Sequence, residues 1–441
     1  MPIITRRNAL TLLPLTAMGL GLAACADNPK NAKGGASGSG KAQEITVTLT
    51  DDSCKLSSTS FPSGVVTFTI TNSGSSPNEL EILTEDKLQI ISEQENIGPG
   101  TSRTFTTALS EGTYYTACKP NMVGNLVGVK KLTVTKGAEV KVDDDVKKLE
   151  EQAVTNYTAY VRDQAGQLLA STKTFVEAYK AGKDDEAKAL FGPARQPYER
   201  IEPTAEAFGI KQAGDVDAAL DSRIQDLAAD AGKAVTDPEV IAKWTGWHRI
   251  EADLWTADKS SPFHADTAKR AELGDQLLKD TQNLYDLVYG KVDGAKGKFE
   301  LKLTDVVTGS SALMEEVATS KIVGEEDTFS HTDLYDFKAN VEGAQVAYGN
   351  VKALVEKKDP ELAKKIDASF VEVFKLVDAH ASGTNAAGQT TYVDYSTIAT
   401  VQKNAGEAPK ADAYTETQKK FSDAVNGLSE SLSKIAEKVL H

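Results

Sequence analysis

The sequence predicts a multi-domain protein in which an N-terminal all-β sandwich is followed by an all-α domain of one or two four-helix bundles. Short runs of alternating or β-branched residues occupy 44–137, and turns rich in Asn, Gly and Pro separate them. From Val142 onward, long stretches rich in Ala, Lys, Glu and Leu have helical spacing. With 441 residues, the chain is long enough for two or three domains.

The first residues predict a secretory signal over 1–24. Arg6 and Arg7 precede a short apolar stretch, and small residues lead to Cys25. The segment resembles the lipobox of bacterial lipoproteins, so we expect cleavage before Cys25 and a diacylglycerol on its thiol. This would anchor the exported chain to the outer face of the cytoplasmic membrane, in the periplasm or cell wall space. The paired arginines also resemble a twin-arginine signal, and twin-arginine and general secretory export both stay open.

Residues 25–43 are rich in Gly, Ser, Ala and Lys, which predicts a flexible tether after the lipidated cysteine. A β domain is then expected over 44–137 and a helical domain over 138–441. The predicted strands are 45–49, 65–71, 79–83, 89–92, 102–107, 113–117 and 131–134. The predicted helices are 143–181, 185–207, 215–231, 238–257, 265–290, 294–321, 332–357, 359–381 and 411–439. Gly or Pro interrupts the helical pattern at several of the breaks.

Composition narrows the classes of partner. The net charge of −15 argues against nucleic acid, whereas an acidic surface suits cations. The sharpest chemical signal is the segment WTGWHRIE, where His248 and Glu251 are three residues apart and share one helix face. An imidazole and a carboxylate at this spacing can hold one metal ion. A solvated ion pair is the simpler alternative for this pair.

Further carboxylates occur in other predicted helices. Glu199 and Glu202 have the same spacing of three, and Asp217 and Asp221 precede the histidine helix. Glu315 and Glu316 lie shortly before the segment SHTDLYDF, in which His331 either joins the site or caps the next helix. Several helices that each contribute carboxylates could enclose a hard or borderline cation.

Three segments, YERIEP, WHRIEADLW and SHTDLYDFKANVEGAQ, resemble the signatures of the imelysin-like domain in EfeO-type iron-uptake lipoproteins. The resemblance covers about 145–439. Segments around Cys54, Glu81, Glu95 and Cys118 are similar to the cupredoxin-like domain that precedes imelysin in full-length members. The resemblance implies capture of iron outside the membrane for an EfeU-type permease, alongside an EfeB-type haem peroxidase.

The resemblance also implies ligands. In the helical domain they are His248 and Glu251 at the core, with Glu199, Glu202, Asp221 and Glu316 as the next candidates. In the β domain they are Cys54 and Cys118 with Glu81 and either Glu93 or Glu95. Such a set could hold copper or a second iron ion, and zinc could bind the protein in vitro. A blue-copper centre is not expected, because this domain contains no histidine.

Two questions stay open at this point. Cys54 and Cys118 are an even pair in an exported chain, so a disulfide is the alternative to metal binding. The leading function is a metal receptor without catalytic activity, with some assistance to ferrous oxidation left open. The alternatives are a metal-dependent peptidase of the imelysin-like group and a protein that binds anionic polysaccharide through a divalent cation. The lack of a His-Glu-x-x-His pattern disfavours the peptidase.

Overall fold

A computed structural model describes residues 43–85, 87, 90–122, 126–137, 143–209, 214–292 and 299–440. The predicted signal over 1–24, Cys25 and the predicted tether up to residue 42 lie outside the described residues. No helix in the described part of the chain is long and apolar enough to cross a membrane.

The first part of the described chain is a β sandwich of two sheets. Its strands are β1 (Gln43–Leu49), β2 (Cys54–Leu56), β3 (Ser60–Pro62), β4 (Gly64–Asn72), β5 (Asn78–Leu83), β6 (Ile90–Ile97), β7 (Ser102–Leu109), β8 (Gly112–Cys118) and β9 (Val127–Thr135). One sheet has the order β2-β1-β4-β7 and the other β3-β9-β8-β5-β6. Alternation along β4 buries Val66, Phe68 and Ile70 between the sheets, as a period of two requires.

The rest of the described chain is mostly helical. Its helices are α1 (Asp144–Lys180), α2 (Asp184–Glu199), α3 (Val216–Asp221), α4 (Ile224–Ala231), α5 (Pro238–Ile241), α6 (Trp247–Trp255), α7 (Thr267–Val288), α8 (Leu303–Thr319), α9 (Asp333–Lys358), α10 (Pro360–Asp378) and α11 (Glu416–Val439). A hairpin of β10 (Ala381–Thr384) and β11 (Thr390–Tyr392) follows α10. Helix α1 packs against α2, α7 and α9, while α8, α9, α10 and α11 form a second packed group.

The predicted fold class, a sandwich followed by a helical body, is confirmed. Four predicted helices were wrong in extent. The helix predicted over 185–207 ends at Glu199, and a 3-10 segment, Glu202–Phe208, follows it. Pro203 disfavours α-helical geometry at the residue before it, so the α-helix does not continue through this point. The helices predicted over 215–231 and 238–257 are each broken in two, and the one predicted over 294–321 begins at Leu303. The strands β2 and β3 and the hairpin β10–β11 were missed.

The sandwich lies directly on the helical body. Strands β6 and β7 contact α8, and β7 also contacts α11. Gln94 Nε2 donates to Glu315 Oε2 at 2.7 Å, and Asn96 Nδ2 donates to Thr319 Oγ1 at 2.8 Å. The described residues of both parts belong to one unit, Gly40–His441. Acidic side chains of β5 and β6 therefore face carboxylates of the helical part.

Candidate metal centre

The loop before α6 fixes where the histidine helix begins. Gly246 has φ of 87°, and a Cβ at this position would lie 2.2 Å from the carbonyl oxygen of Leu220. Trp244 Nε1 donates to the carbonyl of Ser222 at 2.6 Å, and Thr245 Oγ1 donates to that of Ala219 at 3.1 Å. The start of α6 is thus attached to the end of α3, which carries Asp221.

His248 lies at the centre of a buried group of carboxylates. Its Nδ1 is 3.1 Å from Glu251 Oε2 and 3.8 Å from Asp327 Oδ1. Its Nε2 is 3.2 Å from Glu326 Oε1 and 3.4 Å from Asp221 Oδ1. The His248 side chain is 2% exposed, so all four carboxylates meet it in a site shielded from bulk water. Both ring nitrogens therefore have oxygen neighbours that could share a metal ion with them.

Glu251 connects the histidine helix to the loop that precedes α9. Its Oε1 accepts the backbone N–H groups of Phe329 at 3.0 Å and Ser330 at 2.7 Å. The hydroxyl of Thr332 donates to Asp327 in the same loop. These hydrogen bonds hold the loop in the conformation that turns Glu326 and Asp327 toward His248.

A guanidinium group occupies the middle of the cluster. Arg195 Nη1 lies 2.9 Å from His248 Nε2 and 3.2 Å from its Nδ1. Arg195 also forms ion pairs with five carboxylates, those of Glu199, Asp221, Glu326, Asp327 and Asp336. The side chain is fully buried. Arg195 is one helical turn before Glu199 in α2, so both reach the centre from the same helix face.

A second buried cation, Lys321, neutralises the outer carboxylates. Its Nζ lies 2.6 Å from Glu202 Oε1, 3.0 Å from Glu326 Oε2 and 3.7 Å from Glu199 Oε2. Asn340 Nδ2 donates to Glu199 Oε2 at 3.0 Å and to Glu202 Oε2 at 2.6 Å. Glu199 and Glu202 therefore form a layer next to the His248 cluster, joined to it through Glu326.

Two glycines let neighbouring helices approach this layer. A Cβ on Gly309 of α8 would lie 1.7 Å from the carbonyl oxygen of Pro203. A Cβ on Gly343 of α9 would lie 2.2 Å from that of Arg200. Any larger residue at these positions would push the backbone that carries Glu199 and Glu202 away from α8 and α9.

The charges in the cluster shift the pKa values of its members in different directions. Burial alone would raise the pKa of Glu326, but Lys321, Arg223 and Arg195 outweigh it and hold that pKa well below its usual value. Burial and the nearby Glu251 raise the pKa of Asp327 to about 6. Burial and Arg195 would lower the pKa of His248, but Asp221 and Glu251 outweigh them and raise it well above its usual value.

Two sets of potential ligand atoms are close enough to share one ion. One set is Asp221, His248 and Glu326, and the other is His248, Glu251 and Asp327, with the ligand atoms of each set within 4.8 Å of one another. Asp221 Oδ1 is buried and accepts no hydrogen bond from the described part of the protein. One imidazole with several carboxylates is a donor set that suits iron, and it also accepts zinc or manganese.

A cavity of about 590 Å³ separates the sandwich from the helical centre. From the sandwich, its walls include Glu79, Glu81, Glu93, Glu95 and Lys119. From the helical part, they include Glu202, Asp217, Asp221, Arg223, Glu316 and Glu325. Asp221 lies both at this wall and beside His248, so the cavity leads to the buried centre.

The two cysteines of the sandwich take one of the two forms that the sequence left open. Cys54 and Cys118 are joined in a disulfide. A disulfide sulfur carries no thiolate charge, so in this form the two cysteines are not the metal ligands that the family resemblance implied. Glu81 and Glu95 both line the cavity, and Glu81 is paired across the strands with Glu93. The β-side ligands that remain are carboxylates.

The structure brings together some of the residues that the sequence singled out and separates others. His248, Glu251 and Asp221 meet directly, and Glu199 and Glu202 lie one layer away. Glu316 lies on the cavity wall, where Arg223 Nη1 is 3.7 Å from its Oε1.

Sequence reasoning missed Glu326, Asp327 and Arg195. The run Glu325-Glu326-Asp327, directly before the SHTD segment, could have pointed to the first two. Arg195, four residues before Glu199, was the available signal for an internal cation.

Comparison with known proteins covers both parts of the chain. Residues 153–435 match the family described as Imelysin, and residues 15–128 match the one described as Cupredoxin-like domain. The chain is 35% identical over 370 residues to the "Iron uptake system component EfeO" of Escherichia coli O1:K1 / APEC, covering 83% of this chain and 87% of the relative. The protein of the same name from Escherichia coli O157:H7 is 37% identical over 334 residues, with 75% and 79% covered. That of Yersinia pestis is 34% identical over 368 residues, with 83% and 87% covered.

Proposed function

The chain belongs to the imelysin family, as its motifs indicated, and from this premise we propose that it is an extracytoplasmic iron-binding component of an iron-uptake system. The observation that carries the proposal is the convergence of Asp221, Glu251, Glu326 and Asp327 on His248. Buried carboxylates around one imidazole hold a cation of charge two or three far better than water-exposed ones, because the low dielectric strengthens the attraction. The names of the relatives supply iron as the cargo.

The cavity gives the proposal a route for the ion. Its acidic walls would concentrate cations, and Asp221 joins the wall to the His248 cluster. A hydrated ion would exchange its water for carboxylate oxygens at the wall and then reach the imidazole. In the same proposal, Glu81 and Glu95 are the β-side ligands of a second ion. Hard oxygen donors favour iron over copper at that position.

The remaining steps concern the membrane. We propose that a diacylglycerol on Cys25 keeps the protein near an EfeU-type permease, to which it hands iron, and that an EfeB-type haem peroxidase works alongside. Tethering raises the local concentration of the receptor without a tight protein contact. A Cys25→Ser variant is expected in the soluble fraction, whereas the unchanged chain is expected in membranes. An unchanged distribution between fractions would contradict the anchor but leave iron binding untouched.

Burial disfavours the peptidase alternative. His248 is 2% exposed and in contact with Arg195, so a small cation can reach it more easily than a polypeptide substrate can. The polysaccharide alternative would use the same acidic cavity and predicts sugar binding that disappears with a chelator. Iron binding without sugar binding separates the two functions.

Replacement of His248 and Glu251 tests iron binding. The double variant His248→Ala, Glu251→Ala should lose most Fe²⁺ binding in anaerobic titration calorimetry, and most Fe³⁺ binding from a citrate complex. The matched control is His380→Ala, Glu372→Ala, which removes the same two residue types, with Glu372 in α10 and His380 just after the end of that helix. Unchanged stoichiometry and affinity in the first variant would overturn the proposal.

A further inference from the structure

Arg195 contacts the same atoms that would bind a metal ion. Its Nη1 is 2.9 Å from His248 Nε2 and 3.3 Å from Asp327 Oδ1. Its Nη2 is 2.9 Å from Glu326 Oε1 and 3.3 Å from Asp221 Oδ1. These neighbours of Arg195 include three of the four carboxylates in the two candidate ligand sets, together with the imidazole that both sets share. The guanidinium is thus a cation of the protein itself, placed where the cargo would bind.

We propose that Arg195 is an internal counter-ion that the incoming metal ion displaces, and that Asp336 receives the displaced guanidinium. The proposal rests on the proposed function, because it assumes that the cargo binds at His248. It adds a residue that determines how tightly the ion is held and how readily it leaves.

Electrostatic repulsion disfavours a metal ion at the His248 cluster while the Arg195 guanidinium keeps its present position. A metal ion lies about 2.0–2.2 Å from an imidazole nitrogen or carboxylate oxygen. An ion bound to either nitrogen of His248 would therefore lie directly beside Arg195 Nη1, with no water between the two positive charges. Repulsion between like charges at this distance is strong in a buried site. The carboxylate oxygens that now pair with Arg195 would also have to turn to the ion.

Asp336 offers the guanidinium a second binding position. This residue of α9 is fully buried, and its two carboxylate oxygens accept no hydrogen bond from any N–H or hydroxyl group that the structure describes. Its carboxyl group faces that of Asp327, with which it can share a proton. Its Oδ1 lies 3.8 Å from Arg195 Nε, the nearest approach of the guanidinium to that carboxylate. Buried carboxylates normally have donors. A small rotation of the Arg195 side chain would bring its N–H groups to Asp336 and free the His248 cluster.

Exchange of one cation for another has a consequence for a carrier protein. Without an internal cation, the cluster of buried carboxylates would repel itself and bind metal very tightly. Because Arg195 returns when the ion leaves, the cluster is never left uncompensated, and release of the cargo costs less. Arg195 thus lowers the affinity of the cluster for the metal ion, and binding stays reversible as a result.

Removal of the guanidinium is the first test. In anaerobic titrations with Fe²⁺, Arg195→Gln should bind about tenfold more tightly than the unchanged protein, because the competing charge is gone. Its Fe²⁺ should also transfer more slowly to a chromogenic chelator in stopped flow. Arg200→Gln is the matched control, since Arg200 pairs with Glu342 and is partly exposed. Equal or weaker Fe²⁺ affinity in folded Arg195→Gln would overturn the proposal.

A second pair of variants keeps the test decisive if Arg195→Gln does not fold. Asp336→Asn should weaken Fe²⁺ binding about tenfold, because the displaced guanidinium loses its acceptor. Asp333→Asn is the control: it is on the same helix, equally buried and equally without hydrogen bonds to its carboxylate, but forms no ion pair with Arg195 within 4.0 Å. Equal weakening in both variants would overturn the proposal.

The double variant and the metal-binding test separate the two hypotheses. When Arg195 is already Gln, Asp336→Asn should have no further effect on Fe²⁺ affinity, and an additive effect would contradict the exchange. If the unchanged protein binds no Fe²⁺, or binds it without His248 and Glu251, the proposed function itself fails. If that binding depends on His248 but not on Arg195, only the exchange fails.

Discussion

The two sides of the cavity both present carboxylates, but they are neutralised in different ways. On the helical side, Arg195 and Lys321 are buried cations, and both contact Glu326. On the sandwich side, Lys119 is the one basic residue lining the cavity among those that the structure describes, and its Nζ lies 4.0 Å from Glu79. Burial and the neighbouring Glu93 raise the pKa of Glu95 well above its usual value. Burial thus favours the protonated form of Glu95 on the sandwich side, whereas buried cations keep Glu326 ionised on the helical side.

The difference indicates distinct roles for similar residues. Glu326 stays ionised because cations surround it, so this one ligand of the helical centre keeps its charge in readiness for a metal ion. Burial and neighbouring carboxylates raise the pKa values of Glu79 and Glu95, so cation binding there competes with protonation. We expect the ionisation of Glu326 to depend on the cations around it and that of Glu79 and Glu95 to depend on pH.

The largest effect on stability is expected from removing the negative charge of Glu326, which lies between the buried cations. Glu326→Gln leaves Arg195, Arg223 and Lys321 without a shared partner, and should lower the free energy of unfolding of the metal-free protein by about 3–5 kcal/mol. The neighbouring Glu325 pairs with Arg223 at the cavity wall, so Glu325→Gln should cost only about 1 kcal/mol. Urea denaturation measures both, and equal losses would show that the buried cations around Glu326 add nothing beyond the ion pair of Glu325 at the cavity wall.

The disulfide should stabilise the sandwich without affecting the helical centre. It closes a loop across 64 positions of the sequence, so Cys54→Ala with Cys118→Ala should lower the stability of the sandwich by about 2–4 kcal/mol. Fe²⁺ affinity at the His248 cluster should not change. Calorimetric unfolding and metal titration of the variant, beside the reductant-treated protein, check both parts. Loss of Fe²⁺ binding at His248 would show that the two sides are not separable.

The smallest effect on stability is expected at Glu95, on the sandwich side of the cavity. Because folding raises the pKa of Glu95 above its ordinary 4.5, its stabilising protonated form is fully present below that pH, and the contribution is lost as pH rises through the folded value. Glu95→Gln imitates the protonated form, so it should match the unchanged protein at pH 4.5 and exceed its stability by up to about 1 kcal/mol at pH 8. The exposed Glu111→Gln is the control. If the free energies of unfolding of Glu95→Gln and the unchanged protein follow parallel curves between pH 4.5 and pH 8, the prediction is wrong.

The fold class was predictable because both periodicities are strong in the sequence. The alternation VVTFTIT lies in β4, and the Ala- and Leu-rich stretches lie in long helices. Strands of three residues, such as β2 and β3, contain too few positions for any period to be visible. The breaks within predicted helices depend on local geometry, such as the positive φ of Gly246, that a period cannot report.

The site was predictable only where spacing along a helix defines a shared face. His248 and Glu251 are three residues apart on α6 and do lie together. Glu326 and Asp327 lie in a loop, which has no period, and the backbone hydrogen bonds from Phe329 and Ser330 to Glu251 hold that loop. Arg195 was missed because a site for a metal cation is expected to be lined by acidic residues, and a basic residue is not expected inside it. The oxidation state of Cys54 and Cys118 is likewise not a property of spacing.

The tight approach of α8 and α9 to the segment that carries Glu199 and Glu202 has a genetic consequence. Gly309 and Gly343 have no functional group, yet an added methyl group would meet a carbonyl oxygen at each position. Loss-of-function alleles selected for failure to grow on scarce iron should therefore include Gly309→Ala and Gly343→Ala as well as changes at the acidic residues. Suppressor mutations would be expected in the segment 200–204, where another residue could let the backbone move away from α8 and α9.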